Sequence, residues 1–209
     1  MVIALPMLLG ACASMQPPTE KTAAIPVVDP NEAARYGAKA DEPFAVQPVD
    51  LRKMDPKNLR QEVAFPTDEP PGTIVVDPRA RFLYLVQENG KALRYGVGVG
   101  KAGLEFAGSA SIQMKREWPR WTPTDDMIGR DPDRYGAWKA GMEGGEKNPL
   151  GARAMYLFKD GKDTLYRIHG TTEPQSIGKA VSSGCIRMLN QDVIDLYGRV
   201  PRGSKVVVL

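Results

Sequence analysis

The sequence predicts a mainly-β domain, and three observations support this fold class. Glycine and proline are abundant, with 21 and 18 of the 209 residues, which favours short strands and turns over long helices. Runs rich in Val, Leu, Tyr and Phe recur after residue 72, as in 81-RFLYLVQ-87. Asn-Gly and Asp-Gly dipeptides separate pairs of these runs, as the two-residue turns of β-hairpins do.

The predicted elements of this domain follow one another from residue 72 to residue 209. Apolar and β-branched residues mark the expected strands, which are 73-TIVVD-77, 81-RFLYLVQ-87, 91-KALRYGVGVG-100, 153-RAMYLF-158, 164-TLYRIHG-170 and 204-SKVVVL-209. Turns at Asn89-Gly90 and Asp160-Gly161 make two hairpins of them. The one convincing helix is 191–200, for which Asn190 is the expected N-cap and Gly198 the expected end.

The second hairpin carries the only histidine of the chain. Strand alternation predicts that Leu165, Arg167 and His169 share one face, with Tyr166 and Ile168 on the other. His169 is then expected at the mouth of its strand, where its side chain can lean into a cleft.

A long segment between the hairpins, residues 117–151, shows no regular period. Loops of this length in a compact domain are usually functional. Its aromatic residues Trp118, Trp121, Tyr135 and Trp138 could wall a substrate, or they could form a packing cluster under the loop. Both alternatives stay open from the sequence, and Trp118 is the candidate for substrate contact.

The first residues have the composition of an export signal. The run 1-MVIALPMLLGACAS-14 is too short to cross a bilayer but suits the apolar region of a signal peptide. Leu9-Gly10-Ala11-Cys12 resembles a bacterial lipobox, which implies that Cys12 is acylated and becomes the N-terminus. No Lys or Arg precedes the run, so either the start codon is assigned too late or the signal is a poor one. A buried N-terminal strand is the alternative, and Pro6 disfavours it.

These features predict three regions: a lipoprotein signal peptide over 1–12, a Pro- and Ala-rich tether and extended segment over 13–71, and the folded domain over 72–209. The expected location is the periplasm of a Gram-negative bacterium, with a membrane partner reached through the lipid on Cys12. Ala13, rather than aspartate, follows Cys12, which favours the outer membrane.

The two cysteines, Cys12 and Cys185, cannot form a disulfide if Cys12 is lipidated. Cys185 then has no disulfide partner in the same molecule, and a free thiol in an oxidising compartment is costly unless the chemistry uses it. The alternative is a Cys12–Cys185 bridge, which would tie the leader to the core.

Charge and motif content exclude several classes of partner. The net charge of +3 comes without a run of lysine or arginine, so no nucleic-acid partner is predicted. One histidine and one mature cysteine cannot build a metal site without carboxylates. The segment 144-GGEKNPLG-151 follows no phosphate-loop pattern, and we predict no metal and no cofactor.

The stretch 168-IHGTTEPQSIGKAVSSGCIRM-188 holds a candidate catalytic pair, His169 and Cys185. A thiol with a reference pKa of about 8.5 is mostly protonated at neutral pH, and an adjacent imidazole can generate a thiolate–imidazolium pair. His169 is the only histidine available as that base, and the carbonyl of Gly170 is available to orient it. The alternatives are a small buried cysteine and a hydrogen-bonded core histidine.

Residues around Cys185 suit an acyl-transfer site. Gly184 lets a substrate carbonyl approach the backbone, where the amides of Gly184 and Cys185 could form an oxyanion hole. Arg187 can bind a carboxylate bidentately, unless it is a plain surface residue. Ser182 and Ser183 are candidate polar residues of the substrate site.

This stretch resembles the active-site motif of the L,D-transpeptidases, the YkuD-type catalytic domain. That motif has a histidine followed by glycine or serine, a spacer, and Ser-His-Gly-Cys with Arg or Asn two places after the cysteine. The matching segments here are His169-Gly170 and 182-SSGCIR-187, with Ser183 in the place of the second histidine. The resemblance covers residues 72–209, and 148-NPLGARAMYLF-158 is also similar to the family.

The resemblance implies a β-sandwich-like fold with the site under a lid, and the transfer of a peptidoglycan stem peptide. Cys185 would attack the bond between the L-centre of meso-diaminopimelate and the terminal D-alanine, with His169 as general base and acid and the Gly170 carbonyl as its orienter. The acyl group would pass to an amine of another stem or to a lysine of an envelope protein. Two alternatives stay open: water as acceptor, which makes the protein an L,D-carboxypeptidase or cross-link hydrolase, and a non-catalytic lipoprotein that binds the cell wall.

Overall fold

The computed structural model describes residues 30–101 and 106–209, so the predicted leader and Cys12 lie outside the described residues. The strands are β1 Gln61–Ala64, β2 Ile74–Asp77, β3 Phe82–Val86, β4 Lys91–Gly96, β5 Val99–Gly100, β6 Gly108–Glu117, β7 Arg153–Lys159, β8 Lys162–His169, β9 Ala180–Ser182, β10 Ile186–Arg187 and β11 Lys205–Val208. The α-helices are α1 Pro30–Arg35, α2 Asp125–Arg130, α3 Pro132–Tyr135 and α4 Asn190–Arg199. Short 3₁₀ turns cover Leu51–Lys53, Pro56–Asn58, Gly136–Trp138 and Pro174–Ser176.

Both predicted hairpins are confirmed, and their turns have the expected backbone geometry. Asn89 and Gly90 have φ values of 59° and 66°, and Asp160 and Gly161 have values of 50° and 74°. Asp160 and Gly161 form a two-residue turn of type I′ between the paired residues Lys159 and Lys162, and its twist matches that of the flanking strands. In the first hairpin three residues, 88–90, separate Gln87 from Lys91. The sequence patterns did not identify β6, which lies between β11 and β7.

Nine strands belong to one sheet, in the order β1-β4-β3-β2-β11-β6-β7-β8-β10. Its two ends approach each other, because Gly98, just after β4, exchanges two backbone hydrogen bonds with Arg187 of β10 at 2.8 and 2.9 Å. The sheet thereby curls around its own core, and the mainly-β fold is confirmed. The remaining strands, β5 and β9, form a short parallel pair beside this junction.

The main core lies inside the curled sheet and against helix α4. Its fully buried side chains come from most strands and from the apolar face of α4; among them are Ile74, Leu83, Tyr95, Met155, Leu157, Ile168, Val193 and Leu196. Burial of these aliphatic groups, at about 25 cal/mol per Å², supplies the main driving force that holds α4 against the sheet.

The described part of the N-terminal segment, residues 30–71, packs onto this domain. Tyr36, 1% exposed, forms a second small core with Met54, Leu59, Ile177 and Leu189. Strand β1 pairs antiparallel with β4 and extends the sheet by one strand. The apolar residues of this segment are too scattered to form a core alone, and Ile177 and Leu189 of the folded domain supply the other half.

The predicted N-cap and C-terminal end of helix α4 were each wrong by one residue. Leu189 is the N-cap, and Asn190 is the first helical residue and makes no capping hydrogen bond. The helix continues through Gly198 to Arg199, with Val200 as its C-cap. Tertiary contacts override the capping signal of Asn190, because its side chain bonds the Ala152 amide and the Thr171 oxygen instead. No helix in the described ranges has the length and apolar character to cross a membrane.

Candidate active site

A cavity of about 240 Å³ brings together most of the predicted site residues. His169, Cys185, Arg187, Ser182 and Ser183 line it on the side of the sheet. The opposite wall is apolar and comes from the segment 117–151; it includes Trp121, Met127, Tyr135, Trp138 and Met142. This segment, with its helices α2 and α3, is called the lid below.

Two adjacent strand ends place the catalytic candidates. Strand β10 runs parallel to β8, with Arg187 in register with His169 and Ile186 in register with Ile168. Because side chains alternate along a strand, Cys185 and Arg187 face the cavity while Ile186 is buried in the core. His169 ends β8, so it lies at the mouth of its strand as expected.

The imidazole of His169 is oriented by a backbone carbonyl. Its Nδ1 lies 2.6 Å from the Gly170 oxygen, so Nδ1–H donates to that oxygen and Nε2 keeps its lone pair. The expected contact between His169 and the Gly170 carbonyl is therefore present. It leaves Nε2 as the basic nitrogen of the site.

Asn190 supports the Gly170 peptide and was missed as a site residue. Its Oδ1 accepts from the amide of Ala152 at 3.0 Å, and its Nδ2 donates to the Thr171 oxygen at 3.1 Å. A Cβ added at Gly170 would stand 2.1 Å from this Oδ1, so glycine is required there. Asparagine at the start of a helix usually indicates a cap, and no local signal distinguishes that role from this one.

The turn before the nucleophile is closed by Ser182. Its buried hydroxyl donates to the Cys185 oxygen at 2.7 Å and accepts from the Gly184 amide at 3.2 Å. Gly184 has φ 128°, a conformation that strains residues with a Cβ. The predicted roles change accordingly: Ser182 mainly shapes the turn, and the Gly184 amide is engaged there, which leaves the Cys185 amide for an oxyanion.

Cys185 carries a free, half-buried thiol. Its Sγ lies 3.9 Å from the carbonyl oxygen of Leu165, to which the thiol donates a hydrogen bond. Leu165 has φ 64° and lies where the pairing of β7 and β8 shifts register. This irregularity re-aims the chain, as bulges near active sites do.

The same irregularity makes the predicted face of β8 wrong at Leu165, which points to solvent and is 62% exposed. Tyr166 and Ile168 both pack against the core, as predicted. Arg167 pairs with Asp163 at 2.7 Å and lies over the Tyr156 ring. The extra residues of the bulge break the two-residue period on which the prediction rested.

Burial controls the protonation of the catalytic pair. It lowers the pKa of His169 to about 4, with the positive charge of Arg187 acting in the same direction. Burial also raises the pKa of the Cys185 thiol, against a smaller opposite effect of the Arg167 amide. Both shifts favour the neutral form of the group, the thiol of Cys185 and the uncharged imidazole of His169.

Arg187 already has a carboxylate partner. Its guanidinium lies 2.7 Å from Glu173 Oε2, and Arg134 of helix α3 lies 3.6 Å from Glu173 Oε1. All three residues line the cavity. Glu173 was not singled out from the sequence, because a single exposed glutamate in a turn carries no local signal of function.

Trp118 does not line this cavity, so its predicted contact with substrate is not supported by its position. Its indole Nε1 donates to Glu42 Oε2 at 2.9 Å, and its ring packs on Phe44 edge-on at 5.0 Å. Glu42 also binds Arg153, at 2.6 Å. Trp118 thus anchors the start of the lid, whereas Trp121, Tyr135 and Trp138 are wall residues.

Comparisons with known proteins give a consistent family. The YkuD family model, described as the L,D-transpeptidase catalytic domain, matches residues 71–208. The probable L,D-transpeptidase ErfK/SrfK of Escherichia coli K12 is 30% identical over 183 residues, which cover 85% of this chain and 57% of that protein. The probable L,D-transpeptidase YbiS of the same strain is 28% identical over 71% of this chain and 48% of its own length. The chain spans about half the length of these curated relatives.

A solved structure is also similar. A protein of Brucella melitensis is 58% identical, with a TM-score of 0.52, over 77% of this chain and 99% of that one. It is described as a probable carnitine operon oxidoreductase, whereas the family model and both curated relatives bear transpeptidase names.

Proposed function

The chain belongs to the L,D-transpeptidase catalytic-domain family, and on this premise we propose that it is a peptidoglycan L,D-transpeptidase with Cys185 as its nucleophile. One observation carries the proposal: the free thiol of Cys185 shares a cavity with an imidazole whose Nδ1–H donates to the Gly170 carbonyl. This tautomer leaves Nε2 as the basic nitrogen of an imidazole that lines the same cavity as the thiol. The substrate is a tetrapeptide stem that ends in D-alanine.

The first half-reaction forms a thioester. Cys185 Sγ attacks the carbonyl carbon of the amide to D-alanine while the thiol proton passes to His169 Nε2. The oxyanion of the tetrahedral intermediate accepts a hydrogen bond from the Cys185 amide. Collapse of this intermediate breaks the C–N bond as His169 returns the proton to the leaving amine. D-alanine leaves with its amine complete, and the stem stays bound to sulfur as an acyl-enzyme.

The second half-reaction moves the acyl group to an amine. The acceptor is an amine of a second stem or a lysine of an envelope protein; its nitrogen attacks the thioester, its proton passes to His169, and the thiol of Cys185 is regenerated. The apolar lid wall, which includes Trp121, Tyr135 and Trp138, supports transfer over hydrolysis because it lowers access of water to the thioester. Water as acceptor would make the protein an L,D-carboxypeptidase.

The protein acts in the periplasm in this proposal, held to the outer membrane by a lipid on Cys12. The lipobox-like order Leu9-Gly10-Ala11-Cys12 supports this location. Metabolic labelling with a radioactive fatty acid tests it: the full chain should be labelled and Cys12→Ser should not.

The Cys185→Ala variant tests the catalytic proposal. Purified wild-type protein and the variant are incubated with tetrapeptide stems, and products are separated by liquid chromatography and mass spectrometry. We expect the wild type to release D-alanine and form cross-linked dimers, and the variant to do neither, because alanine cannot form the thioester. Tripeptide without dimers indicates hydrolysis. Equal D-alanine release by the variant would contradict Cys185 as nucleophile, and a folded wild type with no release would favour a wall-binding module.

A further inference from the structure

A carboxylate of the N-terminal segment is buried beneath the start of the lid. Lys39 and Val46 exchange two backbone hydrogen bonds and close a loop that carries Glu42. The side chain of Glu42 is only 10% exposed, and that of its partner Arg153 is 9% exposed. The two oxygens of Glu42 accept from the guanidinium of Arg153 at 2.6 and 2.8 Å, which is a bidentate ion pair. One of these oxygens, Oε2, also accepts from the indole of Trp118 at 2.9 Å.

These contacts join the sheet to the first residue of the lid arm. Arg153 begins strand β7 and is in register with Glu117, the last residue of β6. Trp118 follows β6 directly and has φ 41°, a left-handed conformation that is rare for a bulky side chain. Such a conformation persists only where the surrounding contacts hold it. The hydrogen bond to Glu42 and the edge-on contact with Phe44 are the contacts made by the Trp118 ring.

The two arms of the lid are bonded to each other at its base. Trp121 and Met142 exchange backbone hydrogen bonds at 2.9 and 2.7 Å. The buried amide group of Asn148 donates to the oxygens of Pro119 and Glu143, each at 3.0 Å, and connects the arms a second time. A change in the direction of the first arm is therefore passed to the whole lid, including its cavity wall.

The contact between Glu42 and the lid is one with a charged acceptor. Burial alone would raise the pKa of Glu42, but the hydrogen bonds from Arg153 and Trp118 lower it below the usual value. Hydrogen bonds to an ionised acceptor are stronger than neutral ones. A neutral residue at position 42 would therefore weaken the hold on Trp118. Arg153 would keep a distant counter-ion, because Glu117 Oε2 lies 3.9 Å from its Nη2.

We propose that Glu42 is a positioning residue that holds the lid closed over the catalytic cavity. The N-terminal segment is then part of the working enzyme, because it sets how well the apolar lid wall shields Cys185 and its thioester from water. Glu42 acts through Trp118 and touches no reacting atom. The effect on products rests on the proposed transpeptidase function, whereas the position of the lid can be measured without any reaction of a peptide stem.

Alkylation of Cys185 measures access to the cavity in the full chain. A small reagent, iodoacetamide, and a bulky one, fluorescein maleimide, are reacted separately with each protein. Peptide mass spectrometry follows the adduct at Cys185 apart from any adduct at Cys12. A change in thiol reactivity affects both reagents, so the ratio of the bulky to the small rate reports access. Hydrogen–deuterium exchange then shows which peptides of the protein have loosened.

Two variants and one control are compared with the wild type. Glu42→Gln removes the charge that holds the lid. Trp118→Phe removes only the indole donor, retains a ring beside Phe44 and leaves the Arg153 ion pair intact, so it tests the contact even where Glu42→Gln does not fold. Asp41→Asn is the matched control, because it removes one negative charge from the exposed neighbour of Glu42.

We expect both variants to raise the rate ratio about 10-fold, the effect of one hydrogen bond to a charged group on the closed state of the lid. Asp41→Asn should keep the wild-type ratio. Deuterium exchange should become faster in the lid and stay unchanged in strands β2 and β3. With tetrapeptide stems, both variants should form more tripeptide per cross-linked dimer than the wild type, because water reaches the thioester more often.

An unchanged rate ratio in the folded variants would overturn the inference. Equally faster exchange in the lid and in strands β2 and β3 would also overturn it, because Glu42 would then support only global stability. A raised ratio with an unchanged proportion of tripeptide would remove the effect of the lid on the acceptor. A raised ratio together with no product from the wild type would support the role of Glu42 in holding the lid and would contradict the proposed function instead.

Discussion

Two buried titratable sites lie at opposite sides of the first turn of helix α4, and burial affects them in the same way but with different consequences. In the catalytic cavity, burial lowers the pKa of His169 to about 4. At the seam, defined as the contact of residues 30–60 with α4, burial raises the pKa of Asp192 to about 7. Each shift favours the neutral form of its group.

Two aspartates of the seam, Asp192 and Asp195, have pKa values shifted in opposite directions, and they differ in whether an arginine binds them. Asp192 accepts a hydrogen bond from the Tyr36 hydroxyl at 3.0 Å and forms no salt bridge with residues 30–101 or 106–209. Asp195, one turn later, binds Arg60 and Arg199 at 3.0 and 2.9 Å, and these arginines with the Tyr95 hydroxyl lower its pKa to about 2 against the effect of burial. A partner, rather than depth alone, therefore decides which buried group is charged.

The difference between cavity and seam lies in access. Asp192 is fully buried in the seam, so its neutral state matters for folding rather than for contact with a ligand. The cavity admits substrate, and the neutral thiol and imidazole can exchange a proton when a carbonyl arrives. The first residues of α4 serve both sites: Asn190 supports the His169 turn, and Gln191 donates to backbone oxygens of Tyr36, Gly37 and Gln47.

Removal of the base should have the largest effect on the cavity. We expect His169→Gln to reduce the rate of Cys185 acylation by about 10²- to 10⁴-fold, the contribution of a positioned general base. Mass spectrometry of the acyl-enzyme during a single turnover measures this rate. Acylation within a few-fold of wild type would remove His169 from the mechanism.

The wild type should also show the lowered pKa in its pH profile. The neutral imidazole is the base, so activity is present above the pKa of His169 and is lost as pH falls through about 4. An unperturbed histidine would lose activity near pH 6.5. A midpoint near 6.5 in the single-turnover profile would contradict the effect of burial.

Substitutions of the neighbouring residues Asn190 and Gln191 should separate an effect on catalysis in the cavity from an effect on stability at the seam. Asn190→Ala leaves the Ala152 amide and the Thr171 oxygen without a partner beside the Gly170 carbonyl that orients His169. We expect kcat to fall about 10- to 100-fold with little change in KM, because a misaligned base costs rate more than binding. The pH midpoint should also rise as the imidazole loses its fixed, buried position.

Gln191→Ala is the matched control for that variant. It removes hydrogen bonds of the seam and should lower the free energy of unfolding by about 1–3 kcal/mol while kcat stays near the wild-type value. Equal losses of kcat and equal pH midpoints in the two variants would mean that Asn190 acts only through stability.

The smallest expected effects concern the pH dependence of the free energy of unfolding. The folded-state pKa of His169 is depressed, so its contribution is present above pH 6.5 and is lost as pH falls towards 4. The folded-state pKa of Asp192 is raised, so its contribution is present below about pH 4 and is lost as pH rises towards 7. The two trends oppose each other between pH 4 and 6.5.

Urea unfolding of Asp192→Asn and His169→Gln between pH 4 and 7 separates these trends. Relative to wild type, Asp192→Asn should lose stability on acidification, and His169→Gln should gain it, by up to about 1.4 kcal/mol per pH unit for one proton. Other groups cancel in the difference from wild type. Parallel curves for wild type and both variants would contradict the two pKa shifts.

The features that could be predicted from sequence are those with a local cause. Asn89-Gly90 and Asp160-Gly161 predict hairpins because their backbones reach positive φ at little cost. The catalytic pair could be identified because the chain has one histidine and places it before a Gly-Cys-Ile-Arg segment. The family could be identified from the same residues, and the family model confirms it.

The remaining features depend on partners far apart in the chain, which local patterns do not encode. Glu42 holds Trp118 and Arg153 over separations of 76 and 111 residues, and this contact keeps Trp118 out of the cavity. Tyr36 meets Asp192 over 156 residues, and that contact turns a scattered N-terminal segment into part of the core. Residue identity and turn chemistry thus indicated most of the longer strands and the candidate nucleophile with its candidate base. Folding decided which neighbours surround them, because burial and long-range hydrogen bonds exist only after the chain has closed.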